Sequence, residues 1–118
     1  MPQTLFIYGT LHPDRALAEI ASAVRQLIPL GPATLLGTLH NLREYPALTL
    51  NTTPLQNIPG TVFTLPDNPN VLAALDLYED FRPEDPESSL FLRVEHTVTL
   101  TNGTPHRCWV YIYNQPLP

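Results

Sequence analysis

Thr4-Leu5-Phe6-Ile7-Tyr8-Gly9-Thr10-Leu11 is an apolar run that stops at a glycine and passes directly into a polar, helix-starting stretch. Thr4 to Tyr8 reads as a first strand, apolar enough to be buried on both faces. The junction brings bare backbone N–H groups to the end of a sheet, where Gly9 lets a ligand come close. Its plainer reading is a tight turn after a strand.

Working outward, Asp14 to Ile28 reads as a helix. Leu17, Ile20, Ala21, Val24, Leu27 and Ile28 form one stripe, and Pro29, Gly31 and Pro32 stop it. Ala33 to Leu42 predicts a second strand, with Gly37 marking a bulge or a close backbone approach. Ala47 to Leu50 and Gly60 to Leu65 predict short strands around a loop containing Pro and Asn. Asn68-Pro69 predicts an N-cap followed by Pro at the first helical position. The helix it starts should run to about Tyr78 or Glu79 and bury Val71, Leu72 and Leu75.

Asp80 to Ser89 is a loop dense in Pro and acid. Leu90 to Leu100 alternates as a strand, with Val94, His96, Val98 and Leu100 on one side and Arg93, Glu95, Thr97 and Thr99 on the other. Asn102-Gly103 signals a type I′ hairpin. His106 to Tyr113 then returns with Trp109, Tyr111 and Tyr113 on one face. The many short strands and two helices predict a single α+β domain over residues 1–118, its small mixed sheet curling into a barrel of about six strands with peripheral helices.

Composition narrows the chemistry. The 118-residue chain is 43% hydrophobic, enough for a real core, and carries a formal charge of -5. Only 6 Lys+Arg are present, all of them Arg and none clustered, so nucleic acid and anionic membranes are not expected partners. No apolar run reaches the length of a membrane span, and no basic-then-apolar leader opens the sequence, so a cytoplasmic location is expected. Without Lys there is no Schiff-base or phosphate-loop lysine. The single Cys, Cys108, rules out an intrachain disulfide and a cysteine-based zinc cluster. None of Ser22, Ser88 and Ser89 lies in a nucleophile elbow.

Among the remaining candidates Glu79 stands out, at the end of a short helix in Leu75-Asp76-Leu77-Tyr78-Glu79-Asp80-Phe81. The negative end of the helix, desolvation by Tyr78 and Phe81, and like charge on Asp76 and Asp80 would all raise its pKa, as a general acid/base near neutrality requires. From spacing alone a solvated acid is the commoner outcome. Free N–H groups of the Tyr8-Gly9-Thr10-Leu11 turn would suit a carboxylate or a developing oxyanion. Asp14 suits a helix cap and His12 a proton carrier or an exposed loop residue. Tyr45-Pro46 is either a pocket wall or a turn. Arg93 suits a bidentate grip on a substrate carboxylate or a cross-strand ion pair. Tyr111 and Tyr113 are candidates for the core, for an interface or for the site. His12, His40, His96 and His106 match no helical or strand metal pair, although His96 and His106 can face each other across the hairpin. The acidic loop at Glu84 to Glu87 lacks the pattern of a calcium loop.

These residues carry a family resemblance. In order along the chain stand Tyr8-Gly9-Thr10-Leu11, Leu36-Gly37-Thr38-Leu39, Tyr45-Pro46-Ala47-Leu48 and Gly60-Thr61-Val62-Phe63. Leu75-Asp76-x-Tyr78-Glu79, Phe91-x-Arg93-Val94 and Trp109-Val110-Tyr111 follow. The chain resembles the gamma-glutamylcyclotransferase-like superfamily, in its small bacterial and plant branch. The resemblance implies a mixed six-stranded barrel with outer helices and a pocket lined by the Tyr8 to Leu11 loop and Glu79. It makes Glu79 the catalytic acid/base, and Tyr8, Gly9, Thr10, Leu11, Tyr45, Pro46, Arg93 and Tyr111 the substrate-binding residues. The implied reaction is cofactor-independent acyl transfer within a gamma-glutamyl amine, amide or dipeptide, giving 5-oxoproline and a free amine. The expected partner is that small molecule, with the protein a monomer or weak homodimer and no metal bound. The alternative is a non-catalytic small-ligand-binding protein of the same fold. Three departures from the family pattern stand out: His12-Pro13-Asp14 after the first motif, Asp80 where Gly is common, and Phe91 where Tyr is frequent.

Overall fold

A computed structural model describes residues 3–8, 20–41, 46–50 and 55–116. In chain order the elements are β1 (Thr4–Ile7), α1 (Ala21–Val24), β2 (Ile28–Asn41), β3 (Pro46–Thr49), β4 (Gln56–Thr64), α2 (Pro69–Tyr78), β5 (Phe91–Leu100) and β6 (Pro105–Tyr113). The sheet order is β3-β2-β4-β1-β6-β5, and β2 also pairs with β5. Five strands therefore close on themselves, with β3 attached outside the ring along β2. The barrel is mixed because β1 runs parallel to β6 at Leu5–Trp109, while β1–β4, β2–β4, β5–β6 and the closing β2–β5 pair are antiparallel.

β1 is buried on both faces, as its composition predicts: Leu5, Phe6 and Ile7 are all buried. Alternation sends them to different places. Leu5 and Ile7 join Phe63, Val71, Leu75 and Tyr111 in the layer between sheet and helices. Phe6 joins Leu35, Val62, Val98 and Val110 in a second cluster, and Tyr8 packs on it. On β6, Trp109, Tyr111 and Tyr113 share the helix-side layer, while Cys108 and Val110 belong to the second cluster.

Three local expectations change. The first helix does not reach Ile28: α1 ends at Val24, and Ile28 already opens β2. Its earlier part, residues 14–19, lies outside the described residues. Pro29, Gly31 and Pro32 accordingly sit inside a long strand. The strand tolerates them because its register against β4 shifts between Pro29 and Gly31, so a bulge absorbs the missing amide hydrogen. At the β5–β6 turn only Gly103 has positive φ (+86), so Asn102 cannot complete a type I′ turn. Leu100 O accepts from Gly103 N at 2.9 Å and Leu100 N donates to Thr104 O at 2.9 Å. This is a type I turn followed by a glycine bulge, and the Asn102 side chain caps it by accepting from Thr104 N at 3.0 Å.

Gly37 is a close approach, as expected: a Cβ there would stand 2.9 Å from Thr49 O. His96 and His106 are not opposed; His96 pairs with Cys108 and His106 with Val98. His106 Nε2 instead lies 2.9 Å from Thr4 Oγ1. Among the described residues no group of His, Cys, Asp and Glu is arranged to hold a metal ion, and no helix is long and apolar enough to cross a membrane.

Candidate active site

α2 delivers Glu79. Asn68 caps its start by accepting from Asn70 N at 3.1 Å, with Pro69 next, as the sequence predicts. Val71 and Leu75 bury its inner face. At the other end, Phe81 N donates to Asp76 O at 2.8 Å and Asp80 N donates to Leu77 O at 3.2 Å. This paired closure requires a left-handed residue just past the helix, and Asp80 supplies it at φ +57. It is the only described non-glycine residue with positive φ. The departure from Gly at this position is thus accommodated by one of the few other residue types that visit left-handed backbone. Glu79 becomes the C-cap, and Phe81 folds back onto the helix-side layer.

Burial pushes the Glu79 carboxyl from its ordinary 4.5 up to about 7. Of the three causes the sequence suggested, desolvation is the one that operates. Asp76 does not act as a bare like charge because Arg93 sits against it, and Asp80 is half exposed and paired with Arg82 at 3.2 Å.

Two phenols stand within electrostatic reach of Glu79. Tyr8, just past β1, has its phenol pushed far up by burial and then by the Glu79 charge. Its hydroxyl donates to the Tyr111 carbonyl, and the Leu48 backbone opposes the rise in its pKa. Tyr111, on β6, is raised by burial, by its hydrogen bond to Asp76, and by the charges of Asp76 and Glu79, with Arg93 opposing. The hydroxyl of Tyr111 donates to Asp76 Oδ1 at 2.7 Å.

Arg93 takes neither of its expected partners. Its Nε and Nη2 hold Asp76 Oδ1 and Oδ2 at 2.8 and 3.1 Å, from β5 to α2. The guanidinium lies 4.3 Å from the centre of the Trp109 ring and 5.6 Å from that of Phe81. Glu95, on the same side of β5, pairs instead with Arg107 at 2.9 Å. A cleft of about 540 Å³ runs along α2 toward its start, lined by Gln3, Asn68, Leu72, Asp76 and Arg93, without Glu79.

Tyr8, Glu79, Tyr111 and, through Tyr111, Arg93 are thus brought together. Pro46 is half-buried at the start of β3, opposite Asn41 at the sheet edge. Gly9, Thr10, Leu11 and Tyr45 lie outside the described residues, as do His12 and Asp14. Asp76 is the buried residue whose role sequence reasoning missed, because it entered only as a neighbouring charge. A carboxylate on the apolar side of α2, beside Leu75 and Leu72, was the available signal.

Such a mixed barrel with a helix laid against it is an architecture shared with AIG2-like and gamma-glutamyl cyclotransferase structures. The chain belongs to the gamma-glutamyl cyclotransferase, AIG2-like family, whose model matches residues 5–118. Among solved structures it is similar to an AIG2-like protein from Mus musculus, with a TM-score of 0.71 at 17% identity, covering 99% of this chain and 80% of that one. A structure described as gamma-glutamyl cyclotransferase gives 0.65 at 17% identity, covering 96% and 67%. YkqA from Bacillus subtilis gives 0.71 at 19% identity, where this chain spans 97% of itself but 36% of the larger protein. A search of the curated proteins found no match. At these identities the structural likenesses establish the fold.

Proposed function

We propose that the protein is a gamma-glutamylcyclotransferase with Glu79 as its acid/base. The carrying observation is a carboxyl pushed by burial to about 7 at the end of α2, within electrostatic reach of Tyr8 and Tyr111. Family membership over residues 5–118 supports the same chemistry. The substrate is a gamma-glutamyl amine, amide or dipeptide. Its own α-amine attacks the gamma-carbonyl, so the ring C–N bond forms as the amide C–N bond breaks, leaving 5-oxoproline and a free amine. No protein nucleophile is needed, and holding the substrate curled supplies the effective molarity. Glu79 accepts the proton released by the attacking amine and returns it to the leaving nitrogen. Backbone N–H groups of Gly9 to Leu11 stabilise the oxyanion or hold the α-carboxylate. Arg93 is not assigned that carboxylate, because its fork already holds Asp76.

The test is a panel of gamma-glutamyl compounds with detection of 5-oxoproline. Wild-type protein is expected to cyclise at least one of them, at a rate rising with pH through about 7 as Glu79 ionises. Glu79→Gln should be folded and inactive. Ligand binding without product from any compound would favour the non-catalytic alternative, and full turnover by Glu79→Gln would remove Glu79 from the chemistry.

A further inference from the structure

Asp76 sits three residues before Glu79 on α2, buried, yet it is not a free acid. Its carboxylate takes two hydrogen bonds from Arg93 and one from the Tyr111 hydroxyl. Tyr111 in turn offers its carbonyl to the Tyr8 hydroxyl. The charged and titratable groups gathered here are Tyr8 after β1, Arg93 on β5, Tyr111 on β6 and Asp76 on α2 itself. α1, packed against α2, contributes none over Ala21–Val24. Two phenols therefore stand within electrostatic reach of Glu79, and the proton of each has an acceptor elsewhere. Among the described residues none donates a hydrogen bond to the Glu79 carboxylate.

We propose that Asp76 is a positioning residue for Glu79: by claiming the Tyr111 hydroxyl, it keeps that donor off the Glu79 carboxylate. A donor turned onto the carboxylate would stabilise the anion and weaken it as a base. Desolvation raises the Glu79 carboxyl, and among the described residues no hydrogen bond opposes it, which agrees with that arrangement. The inference rests on Glu79 as the acid/base, but the geometry it invokes is measurable without substrate.

The experiment follows the side-chain carboxyl carbon of Glu79 by NMR across pH in the full chain, with Glu79→Gln identifying the signal. Asp76→Asn should lower the Glu79 midpoint by on the order of one pH unit, because Tyr111 loses its charged acceptor. Tyr111→Phe should leave the midpoint nearly where it is, since that hydroxyl is not on Glu79. In the double variant most of the fall caused by Asp76→Asn should disappear. An equal fall in both backgrounds would mean that Asp76 acts by charge alone, and an unchanged midpoint in Asp76→Asn would mean that it does not act on Glu79. Either result overturns the proposal. If Asp76→Asn does not fold, Tyr111→Phe still decides: a rise of about a unit would place the hydroxyl on Glu79 after all and refute it. If a substrate is turned over, the acidic limb of its pH–rate profile should move with the NMR midpoint. A midpoint that behaves as expected in a protein releasing no 5-oxoproline would reject the enzymatic reading and leave the positioning intact.

Discussion

Burying Glu79 couples the stability of the whole chain to pH. Its carboxyl is held at about 7 in the fold against an ordinary 4.5, so between those values the native state binds more protons than the unfolded chain. Stability from this group is therefore fully present below 4.5 and is lost as pH rises through about 7. A change from 4.5 to about 7 corresponds to at most about 3–4 kcal/mol. Glutamine at the same position carries no such proton, so Glu79→Gln should gain stability over wild type at pH 8 and little at pH 4. Urea melts of both proteins at the two pH values check this, and parallel pH slopes would contradict it. The neighbouring residue gives a second test. Asp80 holds left-handed backbone at φ +57, and its ion pair with Arg82 is exposed. Asp80→Gly should raise stability by about 0.5–1 kcal/mol, since glycine adopts that region without strain and exposed pairs contribute little. A lower denaturation midpoint would show instead that the Asp80–Arg82 pair holds the turn. At this scale Glu79 was legible because its signal is local: a helix, its end, and aromatic neighbours. Asp76 was not, because its partners lie 17 and 35 residues away along the chain.

α2 and the β5–β6 hairpin are joined by the Asp76–Arg93 pair, with 10% and 15% of the respective side chains exposed. A buried pair of this kind is worth little against an apolar replacement, yet losing one member leaves a charge stranded. Arg93→Met should therefore cost about 3–5 kcal/mol, while Arg93→Met combined with Asp76→Leu should recover much of that loss. Thermal or urea melts of the three proteins decide; a double variant as unstable as the single would mean that the pair itself, and not the orphaned carboxylate, stabilises the docking. Legibility varied with how far each element depends on its own sequence. α2 was readable end to end, from the Asn68 cap to the C-cap at Glu79, because caps and stripe lie within the helix. β2 was misread at its start because Pro29, Gly31 and Pro32 are local stop signals, and only the bulged register against β4 makes them part of a strand. The hairpin at Asn102-Gly103 was placed correctly but mistyped, since the two turns differ by one residue's φ. Arg93 was read as a carboxylate grip or a cross-strand partner, and it is neither, because its partner Asp76 lies on a helix that strand periodicity cannot reveal.

The barrel is closed by a short seam. β2 meets β5 only at Ala33–Leu100 and Thr34–Thr99, with Thr101 Oγ1 extending it by a 3.1 Å bond to Pro32 O. A barrel was expected from the many short strands, but the order of strands around it was not readable, because pairings such as Leu5–Trp109 link the two ends of the sequence. Gly60 marks where closure tolerates least. It stands opposite Ala33 on β2, and a Cβ there would lie 2.5 Å from Ile7 O and 2.5 Å from the Phe6 ring. The carbonyl belongs to the β1 backbone and cannot swing aside. Phe6 is wholly buried, so its ring can move only by displacing its neighbours. Gly60→Ala should therefore push β4 off β1 and disturb Tyr8 just beyond it, lowering stability by about 1–3 kcal/mol as overpacking does. Gly103→Ala supplies the comparison. At the hairpin tip nothing lies within 4 Å of an added Cβ, and only the φ of +86 is strained, a cost of about 1 kcal/mol. Denaturation midpoints should fall further for Gly60→Ala than for Gly103→Ala, and only Gly60→Ala should alter the near-ultraviolet signal of the buried aromatic residues. The reverse order would mean that β1 and β4 can separate locally, so that the end of the barrel carrying Tyr8 is not held by the close packing at Gly60.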